Sequence, residues 1–452
     1  MSRAGVRKAA IHSAVALLGI MSVVSGDLPA ESTKSLPKSR EQAIDAFVEQ
    51  FVDLAMFDGT ILIDIGGSIV YQKSFGYAQL EHSVLHDEQT RFRIASVSKA
   101  ITDASIAVMI GQGAFSLDTP IARFLPDFPA ADKITIGHIL NHTSGIPHTN
   151  RQPWGDGSIS LTTDEIVQRL AKLPLEFEPG TDSSYSNGGY AVIAKIMEIA
   201  GGGTYSEVLR ETVLDDLRMM DTGHIGDSRA PIPHLATGYE PGLYPGERRH
   251  TRFYAVEARP GGGSLYSTIT DLLKFTRAVF REDFIPESLR REVMGLDDGG
   301  FLSQGRSPGF VGKLFYEPGR DIVVISLANS YSVTSGWVAA IADLATGRVD
   351  ENPWPNLEPA SMTVSQDDPR IGRYRSSFGD FELALERSPE GFLLTVDDVN
   401  NAHAALIPLA DGSYLQPQYF QQCAQDSETR VITCRMLSGD ERYTSTLTPI
   451  AD

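Results

Sequence analysis

Ser96-Val97-Ser98-Lys99 sets a hydroxyl and an amine three residues apart, neighbours on one face if the segment opens a helix. A serine hydroxyl is a weak nucleophile at neutral pH until a base stands within hydrogen-bond reach. A helix N-terminus adds backbone N–H groups and a positive dipole end for a developing oxyanion. For Lys99 to be that base its pKa must fall from about 10.4 towards 7, worth roughly 4 kcal/mol of burial and positive neighbours. A second group lies at Tyr185-Ser186-Asn187, in a turn that leads into a helix. Placed beside Lys99, the Tyr185 phenol can relay the Ser96 proton to a leaving group, and the Asn187 amide can hold a substrate carbonyl or the lysine. The plainer reading of Tyr185 is an aromatic ring packing at a helix start.

Other groups tempt and are set aside. Ser35-Leu-Pro-Lys38 repeats the spacing, but in a polar linker with a proline inside it. Gly305-Arg-Ser-Pro-Gly309 formally matches a nucleophile elbow, which needs a helix directly after its serine; Pro308 and an alternating strand follow instead. His138 and His142 are spaced i, i+4 but lack the glutamate of a zinc-hydrolase helix, and Thr143-Ser-Gly145 ends the helix just after them. His82 and His86 fall in a polar connecting loop, so none of the four reads as a metal ligand. The glycines at 261–263 do not follow a strand-to-helix phosphate pattern and read as a close backbone approach beside a cleft.

The elements that must carry these residues follow from periodicity. Ser39 and Gln42 form a capping-box pattern ahead of Ala43, Ile44, Phe47, Phe51 and Leu54, an amphipathic helix. Strands at 60–65 and 68–77 flank Gly66-Gly67, a tight hairpin. Helical spacing returns at 96–111, 163–173, 189–199, 205–217 and 270–280. Strands at 310–316 and 321–327 surround the turn Glu317-Pro-Gly-Arg320, and a helix over 333–345 follows. Early strands pairing with late ones around a helical insertion give an α/β main domain with a helical subdomain and a cleft between them. The stretch 349–365 is a stiff Pro-rich linker, and short alternating runs over 366–452 read as a separate small β domain. There Cys423 and Cys434 lie nearly symmetrically about residues 426–429, as partners across a hairpin would. In an oxidising compartment they can pair, stabilising by about 2 to 3 kcal/mol on the chain-entropy model; the alternative is two buried thiols.

Composition excludes some partners. With 58 Asp+Glu against 39 Lys+Arg in 452 residues the net charge is −19, which repels a phosphate backbone or an anionic membrane surface, so nucleic acid is not an expected partner. Arg3, Arg7 and Lys8 precede an apolar run over 9–24, and Ser25 and Gly26 follow it, the pattern of a secretory signal peptide over 1–26. The run is short, is broken by His12 and Ser13, and lacks a basic flank, so cleavage near Gly26 is expected over a retained anchor. The segment carries three basic residues and no acidic one, which leaves −22 on the remainder. A linker over 27–38 joins it to the main domain over 39–348, and no stable membrane span is expected in the mature, periplasmic or secreted chain.

Over residues 43–346 the sequence resembles the serine β-lactamase and penicillin-binding-protein superfamily, most closely its class C-like branch of esterases, D-stereospecific peptidases and β-lactamase-related proteins. The resemblance rests on Phe92-Arg-Ile-Ala-Ser-Val-Ser-Lys99, Ile134-Thr-Ile-Gly-His-Ile-Leu-Asn-His-Thr-Ser-Gly-Ile-Pro147, the Tyr185 region, Leu217-Arg-Met-Met-Asp-Thr222, Gly261-Gly-Gly-Ser-Leu-Tyr-Ser267 and Pro308-Gly-Phe310, in that order. It implies an antiparallel sheet flanked by helices, with a helical subdomain and a small trailing β-barrel-like module. It also implies an acyl-enzyme on Ser96, Lys99 and Tyr185 sharing the base and acid roles, an amide- or ester-bearing small-molecule or peptide substrate, and neither metal nor cofactor.

One motif departs from the family. Where members place Lys or His, a small residue and Gly on a cleft strand, this chain has Ser303-Gln304-Gly305, after a stretch at 295–302 that looks short for the family's edge strands. Arg306 follows and can return positive charge or offer its backbone N–H as second oxyanion donor. The missing cation argues against a dedicated β-lactamase. It leaves two expectations: a hydrolase of amide or ester bonds, or a weakened relative that binds cell-wall peptides or another ligand without turnover. Substrate and oligomeric state are not legible.

Overall fold

The computed structural model describes residues 35–450 apart from 156, 243–245, 281–282, 297–299, 331–334, 353, 355–356, 361–362, 378–381, 398–401, 417–420 and 438–443. The segment 1–26, expected to be a signal peptide, and most of the linker after it lie outside the described residues.

Gly66 and Gly67 both take left-handed φ, 60° and 80°, and so close the hairpin between β1 (Gly59–Ile65) and β2 (Ser68–Phe75). β2 ends two residues earlier than its pattern predicts. At Gly76, φ 71°, a Cβ would stand 1.9 Å from Asp58 Oδ1, so the chain turns there. The late strands β3 (Phe301–Ser307), β4 (Phe310–Glu317) and β5 (Ile322–Ala328) complete an antiparallel sheet in the order β3-β4-β5-β1-β2.

Both faces of this sheet are apolar because its central strands alternate between two cores. Leu62, Val323, Ile325 and Leu327 face one core; Ile61, Ile63, Ile322 and Val324 face the other. Helix α1 (Lys38–Asp53) packs on the second face, where Phe47 and Phe51 meet Trp337 at ring distances of 5.1 and 4.7 Å. The expected capping box is absent. Pro37 directs the chain into the helix before Ser39, and the N–H groups of Arg40 and Glu41 bond to the Pro37 carbonyl.

On the first face lies α2 (Ser98–Gly111), and beyond it α3 (Ile136–Leu140), α4 (Thr163–Leu170), α5 (Asn187–Gly201) and α6 (Tyr205–Leu209) build the helical subdomain. The run expected as one helix over 205–217 changes after Leu209 into a π-helical turn, Arg210–Leu214. α7 (Ile269–Val279) returns to the sheet, α8 (Glu287–Met294) leads toward β3, and α9 (Ser335–Thr346) carries Trp337.

Beyond α9 a nine-stranded antiparallel sheet covers residues 372–449. Its first and last strands in spatial order, Ala402–Ala405 and Ile407–Pro408, are separated by one residue, so the sheet curls back on itself around Tyr374, Leu385, Leu393 and Leu447. Cys423 and Cys434 are register partners on adjacent strands, joined as a disulfide. The segment before this sheet is anchored rather than a free spacer. Trp354 packs edge-on against Phe47 at 5.2 Å, and Leu357, Ile407, Leu409 and Leu415 share the α1/α9 core. Among the described residues no helix is long and apolar enough to cross a membrane.

Candidate active site

Ser96 sits in a single 3-10 turn, Ala95–Val97, immediately ahead of α2. Ala95 adopts a left-handed φ of 45°, a conformation costly for a residue with a Cβ and held by its surroundings. Ile94 N–H bonds to the Leu265 carbonyl, and Leu265 N–H bonds back to Ser98 Oγ at 3.2 Å. The turn that carries Ser96 is thereby fastened on both sides.

One turn on, Lys99 is 8% exposed. Its ammonium donates to Asn187 Oδ1 at 2.7 Å and to the Gly262 carbonyl at 2.6 Å, and it lies 4.8 Å from the ring centroids of both Tyr185 and Tyr190. Burial pushes Lys99 down to about 7; the anion of Asp103 opposes that fall and Arg259 adds to it. The close approach expected of the glycine run is found: a Cβ on Gly262 would stand 3.1 Å from Lys99 Nζ, and one on Gly261 would stand 2.4 Å from the Tyr190 carbonyl oxygen.

Ser96 does not bond directly to Lys99. Its Oγ lies 2.9 Å from Tyr185 Oη. Tyr185 holds its place because Ser186 caps α5, accepting from Gly189 N–H at 3.0 Å and donating to the Pro147 carbonyl at 3.1 Å. Gly188 allows that contact, since a Cβ there would be 2.3 Å from the Pro147 oxygen. The ring is flanked by His142 at 4.6 Å and His148 at 5.6 Å. Burial pushes the Tyr185 phenol above its ordinary value, partly offset by the Ser96 bond. Both histidines are driven down to about 4, chiefly by burial, so they are neutral around the phenol at pH 7.

Strand β3 supplies the remaining wall. Gly305 lies against the Ser96 turn, where a Cβ would stand 2.2 Å from the Ile94 carbonyl oxygen and 2.7 Å from Ser96 N. Alternation puts half-buried Ser303 on the same face and turns Gln304 and Arg306 to the other. Gln304 accepts from Lys313 on that far face at 2.5 Å, so its side chain does not reach the site. The positive charge of Arg306 acts there on Lys313, and this corrects the expectation that the guanidinium replaces the missing cation. Its backbone is another matter. Ser307 and Phe310 flank a two-residue turn, so Ser303, Gly305 and Ser307 exchange ladder bonds with β4, while the N–H of Arg306 faces the open edge of the sheet.

Gly305 to Gly309 ends β3 and turns into β4 with no helix after its serine. His138 Nδ1 accepts from Thr135 N–H in the α3 capping box, and His142 Nδ1 accepts from Ser186 N–H. His86 is buried rather than in a polar loop, stacked on Phe92 at 5.1 Å and bonded to Asn329 at 3.1 Å. Sequence reasoning missed Asp103, Tyr190, Arg259 and His148, and weighed His142 only as a metal ligand; the one available signal was Asp103 standing four residues after Lys99 on a helix.

An antiparallel sheet faced by a helical subdomain, with a serine, a lysine and a tyrosine gathered at the N-terminus of the helix between them, is the frame of the serine β-lactamase and penicillin-binding-protein superfamily. A family model described as Beta-lactamase matches residues 44–342, and the chain belongs to that family. Penicillin-binding protein 4* of Bacillus subtilis (strain 168) is 29% identical over 287 residues, 60% of this chain and 63% of that protein. The match thus spans less than two thirds of that relative's length. Esterase EstB of Burkholderia gladioli is 28% identical over 305 residues, 59% of this chain and 77% of the esterase. The D-amino acid amidase of Ochrobactrum anthropi SV3, solved with D-phenylalanine, shares the fold with a TM-score of 0.60 at 22% identity, over 68% of this chain and 98% of that one.

Proposed function

We propose that this chain is an exported serine hydrolase that cleaves an amide or ester bond through an acyl-enzyme on Ser96. The observation that carries the reading is the 2.9 Å contact of Ser96 with Tyr185 beside a buried Lys99 whose pKa is driven to about 7. With this set one proton short, Ser96 Oγ bonds to the carbonyl carbon and its proton passes to the Tyr185–Lys99 pair. The pair returns that proton to the leaving oxygen or nitrogen as the old bond breaks, and water then releases the acyl group by the same exchange. The N–H groups of Ser96 and Arg306 hold the oxyanion. Relatives named as an esterase and an amidase favour both bond types. Export rests on the pattern at 1–26. We assign the chemistry to residues 39–348 and a covering role to 366–452.

The test is intact mass of the mature protein after a fluorophosphonate and, separately, a penicillin, followed by peptide mapping. Labelling at Ser96 that disappears in Ser96→Ala supports the reading, and a penicillin adduct favours a peptidase over an esterase. No adduct from either reagent on folded protein favours the second reading, a cleft that binds without turnover, for which the altered Ser303-Gln304-Gly305 motif speaks.

A further inference from the structure

Asp103 lies one helical turn beyond Lys99 on α2, on the same face and mostly buried. Its carboxylate accepts the hydroxyl of Tyr190 with both oxygens, at 2.9 and 3.2 Å. Tyr190, 3% exposed, presents its ring to Lys99 Nζ at 4.8 Å. One tyrosine therefore lies between the ammonium, against its ring, and the carboxylate, at its hydroxyl. A fold that needed only to anchor Tyr190 could use a neutral acceptor; a carboxylate partly withdrawn from water costs more.

We infer that Asp103 is the counter-charge of Lys99, a positioning residue that touches neither substrate nor Ser96 but sets how firmly the Ser96–Tyr185–Lys99 set holds its proton. The inference rests on the proposed role of Lys99. The other charged and titratable groups around the pair are known. Tyr185 and Tyr190 face it from α5 and the turn before it, Tyr205 from α6, His142 and His148 from beyond α3, and Arg259 from the segment ahead of Leu265. The tyrosines are pushed up by burial and the histidines down to about 4. The positive charge of Arg259 acts on Lys99, and Lys99 and Asp103 are left as the members of this group that exchange protons. Burial drives them in opposite directions toward about 7.

The test compares the pH dependence of kcat/KM for a p-nitrophenyl ester in the full-length mature protein. Asp103→Asn keeps an acceptor for Tyr190 and removes the charge, so Lys99 gives up its proton more easily. The acid limb is expected to move down by about one pH unit, and kcat/KM on that limb to rise about tenfold relative to its own plateau. Asp103→Glu, which keeps the charge, is expected to retain the wild-type midpoint. Should Asp103→Asn fail to fold, Asp103→Ser carries the same comparison. A midpoint unchanged in the neutral variant, where Lys99→Ala has lost the limb, overturns the role of Asp103 alone. A limb that survives in Lys99→Ala overturns the reading beneath it.

Discussion

Tyr185 Oη stands 2.9 Å from Ser96 Oγ, while the Lys99 ammonium directs its bonds to Asn187 and Gly262. The group in contact with Ser96 is therefore the phenol, and on the proposed reading the lysine acts on it as a neighbouring charge across the ring face. Deleting the hydroxyl alone tests this. In Tyr185→Phe the ring still fits between His142 and His148, so the melting temperature should match wild type. kcat for an ester substrate should fall about 10²- to 10⁴-fold, the usual weight of a positioned acid–base group. An active Tyr185→Phe within twofold of wild type would remove the phenol from the mechanism.

The pH dependence has a definite sign. Burial holds Lys99 at about 7 instead of its ordinary 10.5, so the Ser96–Tyr185–Lys99 set carries its extra proton below that value and is short of it above. kcat/KM should climb about tenfold per pH unit on the acid side and level off above about 7. The climb should vanish in Lys99→Ala, and a flat profile in an active wild type would contradict the assignment of the base.

What the sequence made legible was local. Ser96 with Lys99 is one helical turn, Tyr185 to Asn187 is one helix cap, and Gly66-Gly67 is one hairpin; each is written in residues that touch along the chain. The facing of β3 was not legible, because whether Ser303 or Gln304 looks into the cleft depends on register with β4 across a turn. Tyr190 reaching Asp103 joins two helices, and Trp354 locking the Pro-rich segment onto α1 joins segments far apart in the chain. His86 looked solvated among polar neighbours, yet the contacts that bury it come from Phe92 and Asn329. Non-local packing decided each of these.

Gly262 is open to a steric test with an internal control. A Cβ there would press on Lys99 Nζ at 3.1 Å and Asn187 Oδ1 at 3.2 Å, whereas one on Gly263 meets nothing closer than 3.7 Å. A lysine displaced by a fraction of an ångström loses its bond to Asn187 and its place over the tyrosine rings. Gly262→Ala should lower kcat about tenfold or more, on the scale by which small misplacements of reacting groups are felt. Gly263→Ala should stay near wild type. Equal activity in the two variants would mean that the close backbone approach has no bearing on Lys99.

Lys313 raises a question of stability rather than chemistry. It is 6% exposed in β4, donates to Gln304 on the face turned away from Ser96, and is held near 7 by burial and the charge of Arg306. Below about 7 the folded and unfolded chains both carry this proton, so the full cost of burying the charge is present. Between about 7 and the ordinary 10.5 the unfolded chain binds more protons than the folded one, so stability rises with pH across that window. Lys313→Met removes the cost and keeps the side-chain volume, and its partner Gln304 is exposed. The variant should be more stable by about 2 kcal/mol near pH 6, with the gain shrinking by about pH 9. Urea unfolding of both proteins at the two pH values reads this directly. A variant no more stable at the lower pH, or a gain that does not shrink, would show that the buried ammonium is already well compensated where it lies.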